Sequence, residues 1–445
     1  MASTSPHSLR SLSSPPTTSP ADEGPVSAAS LSGLPLELKE KVVEHVRELS
    51  SIQAVIEEAE EPGEADKPRY VNSLKMLKDV DRDFYRLCAP YVWEDLNLSQ
   101  CSPKQLQSLV DEILPLRAGY VQSLSFPVRL SEPKPQQQDD TADAACDEEG
   151  ALSLVHPVGT DGDTPEEQAR AALLASSVDQ CSSARRMYYD DMSVSQTNSK
   201  AILSALPALS SLADLHVAFF PINGRLPLLL AAVPRLTTLI LDCGSDYGGT
   251  ALPIDPEAFN AALLAMRDLK ELSICANGAF IFDDTFFLLP FSFSLTTCSL
   301  STDAVGPGAL YGFLQRCGRN LQRLDLDAND DDVFGPSSAP TPSLIHLTSL
   351  GVTTFGTAPY IACFGSSPIS TFSFSSHGLW DIKPLLAFFE RHAGTLRNVK
   401  LEVDSTEYAS GERISDEDER EKVEEVKRWC ESRGIDIEIR IEVEG

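Results

Sequence analysis

Asn320-Leu321-Gln322-Arg323-Leu324-Asp325-Leu326-Asp327 places leucines at the first, fourth and sixth positions of a Leu-x-x-Leu-x-Leu unit that begins at Leu321. In a strand, successive side chains alternate, so Leu324 and Leu326 share one face while Arg323, Asp325 and Asp327 share the other. The same spacing recurs as Leu212/Leu215/Val217, Leu236/Leu239/Leu241, Leu269/Leu272/Ile274 and Leu295/Cys298/Leu300. It continues after Leu326 as Leu347/Leu350/Val352, Ile369/Phe372/Phe374 and Leu396/Val399/Leu401.

These starts follow one another at intervals of about 22 to 33 residues, which fits a leucine-rich repeat and excludes longer helical units for most of the array. Helices are expected between several strands. Pro256 to Met266, Gly308 to Cys317 and Ile382 to His392 each carry apolar residues on one helical face. Gly335 to Ser343 and Gly356 to Pro368 are rich in Pro, Gly and Ser, which suits short extended returns. The expected fold is therefore α/β: a solenoid with parallel strands on a concave face and helices or short returns on the convex one. Upstream, Trp93/Leu96/Leu98 and Val121/Leu124/Phe126 keep the spacing, with a helix from Ser102 to Leu116 between them. The stretch from Cys181 to Val194 gives no clear pattern. At the C-terminus, residues 416–445 read as a cap: a charged helix from Asp416 to Ser432, Gly434 ending it, and a strand alternating Ile435, Ile437, Ile439, Ile441 and Val443 with charges.

The chain has 445 residues, enough for a large core, and carries 36 Lys plus Arg against 66 Asp plus Glu, a net charge of -30. A field of that sign repels phosphates and anionic lipid, so nucleic acid and membrane are not expected partners. Ten cysteines form no Cys-x-x-Cys pair and no compact disulfide framework, which suits reduced thiols in the cytoplasm or nucleus. No secretory pattern opens the sequence, and no apolar run is long enough to span a bilayer. Residues 1–30 are Ser/Thr/Pro/Ala-rich and read as a disordered tail, and about 131–165 as a disordered acidic insertion.

Between the tail and the array, residues 31–95 read as a small helical module. Leu34-Pro35-Leu36-Glu37-Leu38 opens a helix, with Pro35 at its first position and Leu38, Val42, Val46 and Leu49 on one stripe. A loop at about 50–72 follows, and then a second stripe of Leu74, Leu77, Val80, Phe84, Leu87 and Tyr91 that Pro90 is expected to end or kink. Leu34-Pro35-x-Glu37-Leu38, then Leu77-x-x-Val80-x-x-x-Phe84, then Trp93, resembles an F-box, the helical module that docks onto a Skp-type adaptor of cullin-RING ubiquitin ligases. Two features depart from the usual pattern: the segment between the helices is longer, and Asp81 stands where Cys or Ser commonly follows the Val. The resemblance implies adaptor contacts from Leu34, Pro35, Leu38, Val42, Leu77, Val80, Phe84 and Trp93. A second reading makes the same helices only an N-terminal cap of a leucine-rich scaffold without a ligase link.

No motif for chemistry stands out. Asp325-x-Asp327-x-Asn329-Asp330 imitates the start of a calcium loop but puts Asp330 where Gly is needed and Pro336 where a bidentate Glu belongs. There is no phosphate loop, no Gly-x-Ser-x-Gly and no His-x-x-x-His pair, so neither catalysis, nor a metal, nor a cofactor is expected. The expected site is instead the concave face, with His216, Asp242, Glu271, Arg323, Asp325, Asp327 and Lys400 as contact residues for a protein ligand, basic groups of which face the carboxylates.

Overall fold

Every residue that the spacing places at the first, fourth or sixth position of the eight units from Leu212 to Leu401 is buried. The computed structural model describes residues 31–59, 76–98, 101–126, 164–190, 196–218, 225–242, 255–275, 282–301, 305–328, 342–354, 364–376, 381–404 and 416–442. The expected tail, nearly all of the acidic insertion, the part of the expected 50–72 loop beyond residue 59 and most of the two Gly/Pro-rich returns lie outside those residues. The chain divides into two compact units, one ending at Val92 and one beginning at Trp93.

The second unit is a solenoid-like α/β array. Among the described residues, 12 strands form one sheet in sequential order. They are β1 (Asp95–Asn97), β2 (Ser123–Phe126), β3 (Arg186–Asp190), β4 (Asp214–Ala218), β5 (Thr238–Asp242), β6 (Glu271–Cys275), β7 (Thr297–Ser301), β8 (Arg323–Ala328), β9 (Ser349–Thr354), β10 (Thr371–Ser376), β11 (Asn398–Asp404) and β12 (Asp436–Glu442). All pairs are parallel and keep the repeat in register, so that Leu324 lies beside Cys298 and Leu350, and Leu326 beside Leu300 and Val352. Stacking begins before each strand: the carbonyl of Thr296 accepts the amides of Gln322 (2.8 Å) and Arg323 (3.1 Å), and that of Gln322 accepts those of Thr348 and Ser349. Each turn thus offers its neighbour the backbone partners that an isolated turn lacks.

One unit escapes the sequence reading. β3 is preceded by Ala184, and Ala184, Met187 and Tyr189 occupy the repeat positions and are buried. With no leucine among the three, the spacing is hidden, although the size and polarity of each residue suit the core. The helix before it, Pro165–Gln180, starts from a capping box in which Thr164 Oγ1 accepts the Glu167 amide and the Glu167 carboxylate accepts the Thr164 amide. The helix expected from Ser102 to Leu116 runs as Pro103–Ser108, a wider π-type segment at Leu109–Ile113, and Leu114–Arg117. Pro115 has no amide to give and its ring crowds the preceding turn, and the wide segment accommodates both. Helices at Pro256–Leu264, Pro307–Cys317, Ile382–His392 and Asp416–Glu431 fall where periodicity puts them. Gly434, at φ 66°, ends the last one in the left-handed region.

Among the described residues, the return between β6 and β7 holds a single four-residue helix, Asp284–Phe287. Aromatic rings fill the volume instead. Phe282, Phe286, Phe287, Phe291 and Phe293 are buried there together with Phe259 and Phe313 from the flanking helices. Phe286 meets Phe282 and Phe287 edge-on, each at 5.1 Å between ring centroids.

The first unit is built on α1 (Leu36–Ala59) and α2 (Arg82–Val92). Here the structure corrects several expectations. Pro35 lies one residue before α1, as the acceptor of the Lys39 amide, because its missing N–H costs nothing there. α1 continues to Ala59, so the expected loop does not begin at residue 50. The single stripe expected from Leu74 to Tyr91 is broken into a helical turn ending at Leu77, a turn at 78–80, and α2. Asp81 makes that break: its Oδ1 accepts the amides of Asp83 (2.8 Å) and Phe84 (2.9 Å), which caps α2. α2 then runs past Pro90 to Val92. The buried face of α1 is also rotated from the expected one. Val43 and Lys39 are buried, Val42 and Val46 pack partly against the small core of Val43, Leu77, Phe84 and Cys88, and Leu38 is exposed.

Candidate functional site

Two surfaces carry the residues that the sequence singles out. In the helical unit, the buried ammonium of Lys39 bonds Asp81 Oδ2 at 2.6 Å and Asp83 Oδ2 at 3.0 Å, and lies over the Phe84 ring at 5.5 Å. The hydrogen bond from Lys39, and then those from backbone amides, hold the Asp81 carboxyl below its ordinary value, while the bond to Asp81 raises Lys39. This ties the start of α2 to α1 with a charge-assisted contact. Leu77 and Phe84 are buried in the unit's own core, and Val42 is half-buried against it. Pro35, Leu38 and Val80 are exposed and Leu34 half-exposed, together with Leu31, Leu36, Met76 and Tyr85. Trp93 belongs to the second unit, where it packs against the core of the array.

On the array, the leucine face is covered by helices and the alternate residues form an open face of three rows. The first row runs Arg186, Asp214, Thr238, Glu271, Thr297, Arg323 and on to Asp436. In the second, Tyr188, His216, Ile240, Ser273, Ser299 and Asp325 stand side by side. The third includes Ala218, Asp242, Cys275, Ser301 and Asp327. Adjacent strands lie about 4.8 Å apart; Asp242 on β5 stands one strand over and two residues along from His216 on β4, Glu271 on β6 lies in the row on the other side of His216 from Asp242, and Lys400 on β11 is remote from all three.

Ion pairing sorts the seven expected contact residues. Arg323 bonds Asp325 at 2.8 Å on its own strand, and Lys400 pairs with Glu402 at 3.4 Å. The other two bases of this face are engaged as well, Arg186 by Glu94 and Asp95 and Arg440 by Glu438. Asp242 and Glu271, with Asp214 beside them, form no ion pair among the described residues. Asp327 accepts the hydroxyl of Ser301 at 2.8 Å. His216 lies edge-on to Tyr188 with centroids 4.7 Å apart. Its Nε2 is shielded from solvent and meets no partner among the described residues, and burial holds the imidazole below its ordinary value despite the opposing carboxylate of Asp242. Burial first, and then Asp190 and Asp242, push the Tyr188 phenol up. Tyr188 is the one member of this group invisible in the sequence, because its strand hides among non-leucine core residues.

The seven cysteines among the described residues are free, and burial raises the thiols of Cys181 and Cys317 to about 12 and that of Cys430 to about 11. Among the described residues no group of His, Cys, Asp and Glu is arranged to hold a metal ion, and no helix is long and apolar enough to cross a membrane. Fold and surfaces define a parallel α/β array, solenoid-like, with an open polar face and a separate small helical unit. No model of a known family matches the chain, and no curated protein matches it.

Proposed function

We propose that this chain is an F-box protein with leucine-rich repeats, the substrate-recognition subunit of a cullin-RING ubiquitin ligase. The helical unit holds a Skp-type adaptor, and the open face of the array holds the protein to be modified. The chain supplies position rather than chemistry, and works in the cytoplasm or the nucleus.

The observation that carries this reading is where large apolar side chains remain exposed. Leu31, Leu36, Leu38, Met76, Val80 and Tyr85 lie in the short helical unit, against Leu116, Tyr120, Leu228, Leu288 and Ile345 in the much longer array. A unit that closes its small core on Val43, Leu77, Phe84 and Cys88 leaves these residues over for a partner. Pro35, Leu38 and Val80 come from the segments that resemble the family, and Leu34 joins them half-exposed. The departure at Asp81 also has a physical account, since Asp accepts the amides at a helix start as Ser does.

The test is co-purification of the full chain with a Skp-type adaptor and a cullin, compared with a Leu34→Ala/Pro35→Ala variant. Binding lost in the variant, with unfolding unchanged, supports the reading. Equal capture of both, or capture of neither, refutes it and leaves the helices as a cap.

A further inference from the structure

On the open face of the array, Tyr188, His216 and Ile240 stand directly beside one another on β3, β4 and β5. They are the one run of large aromatic or aliphatic side chains on that face among the described residues, all half-buried, in rows otherwise made of small, amide and charged side chains. Carboxylates surround the run: Asp214 and Glu271 along one side, Asp242 along the other. Strands β4, β5 and β6 bring no Lys or Arg to this face, and each base elsewhere on it already has an acid.

We infer that this patch is the substrate-reading site of the array and that it takes an arginine side chain from an extended segment of a protein ligand. The inference rests on the proposed role of the array as the substrate-holding part.

The chemistry follows from the three kinds of group. A guanidinium is planar, always charged and weakly hydrated, so it lies well against the rings of Tyr188 and His216 while its stem covers Ile240. Asp242, one strand over and two residues along from His216, then offers a carboxylate that forms no ion pair among the described residues and can take up a paired hydrogen bond. His216 stays neutral and does not compete with the incoming cation. Asp214 and Glu271 lie two strands apart, roughly 10 Å, and supply a second carboxylate for a neighbouring base of the ligand. The charge of the patch selects against acidic and phosphorylated segments.

The test is selection of a displayed random peptide library on the full chain, followed by titration of one labelled arginine peptide and its citrulline and glutamate counterparts. Arginine is expected in the enriched sequences, with the citrulline peptide bound at least about tenfold more weakly. Asp242→Asn is expected to reduce binding of the arginine peptide about tenfold, and Glu421→Gln, exposed on the helix Asp416–Glu431 and not on the open face, to leave it unchanged. If Asp242→Asn fails to fold, wild-type affinity for the arginine peptide still has to fall as salt is raised. Enrichment of acidic or uncharged sequences, no enrichment, equal binding of the citrulline peptide, or salt-independent binding overturns the inference. Adaptor capture by the same preparation separates the two claims: capture without arginine preference removes only the site, and arginine preference without capture removes only the ligase role.

Discussion

Replacing Phe286 by Ala removes the ring at the centre of the aromatic cluster between β6 and β7. Phe286 is 1% exposed and its centroid lies 5.1 Å from Phe282 and Phe287, 5.3 Å from Phe291 and 6.1 Å from Phe259. A buried Phe→Ala change costs about 3 to 5 kcal/mol through lost transfer energy and the cavity left behind. The two edge-on pairs lost with the ring, each worth about 0.5 to 1.5 kcal/mol, put the expected loss in the upper half of that range, at about 4 to 5 kcal/mol. Among the described residues this return has one helical turn and no long helix to close over the gap. Urea unfolding followed by circular dichroism measures the loss, and hydrogen exchange locates it. In a stacked array each turn leans on its neighbours, so protection is expected to fall at β6 and β7 and to persist at β11 and β12. As a control, Leu288→Ala, at an exposed neighbouring site, is expected to change stability by less than about 0.5 kcal/mol. A loss below about 1 kcal/mol for Phe286→Ala, with exchange at β6 and β7 unchanged, would refute a shared aromatic core.

Three further outcomes follow from buried groups. His392 is buried against Phe388, and burial, with Arg391 adding to it, depresses its imidazole in the folded chain. Its neutral form is the one the fold accepts, so its contribution to stability is complete above about pH 6.5 and is lost as pH falls from there through the depressed folded value. The melting temperature is expected to drop between about pH 7.5 and 5.5, by less in His392→Phe, and an equal drop in both proteins argues against this assignment. At Gly318, a Cβ would sit 2.5 Å from the Leu314 carbonyl oxygen and 3.1 Å from Leu344, so Gly318→Ala should cost about 1 to 3 kcal/mol in urea unfolding. Among the seven described cysteines, Cys101 and Cys275 are half-exposed and should react with iodoacetamide in the native protein, while Cys181, Cys298, Cys317 and Cys430 react only after unfolding; native labelling of those four, read by mass spectrometry, would contradict their burial.

Much of the array is legible because a repeat states the same physical requirement many times. Leu321, Leu324 and Leu326 say little alone, but eight units in one spacing fix strand positions, the buried face and the open face, since side-chain alternation leaves no other solution. The repeat also places His216, Asp242, Glu271, Arg323, Asp325 and Asp327 on the open face. It does not distinguish among them, because salt bridging between long side chains depends on where they point.

The helical unit shows the converse. Leu38 and Lys39 are adjacent in an unbroken helical sequence, and hydropathy assigns Leu38 inward and Lys39 outward. The fold reverses them, because Asp81 and Asp83 at the start of α2 give the Lys39 ammonium two partners and allow its burial. The sequence by itself determined the repeat, its register and the alternation of faces, all local properties of a strand and its neighbour. Only the tertiary structure decided which helix face is buried, how the fourth-position Met187 and the aromatic rings complete the core, and that Asp242 forms no ion pair among the described residues while Asp325 is neutralised by Arg323. Apart from the Arg323–Asp325 pair, which joins two residues of one strand, these outcomes depend on contacts between residues far apart in the chain, and no spacing within one segment encodes them.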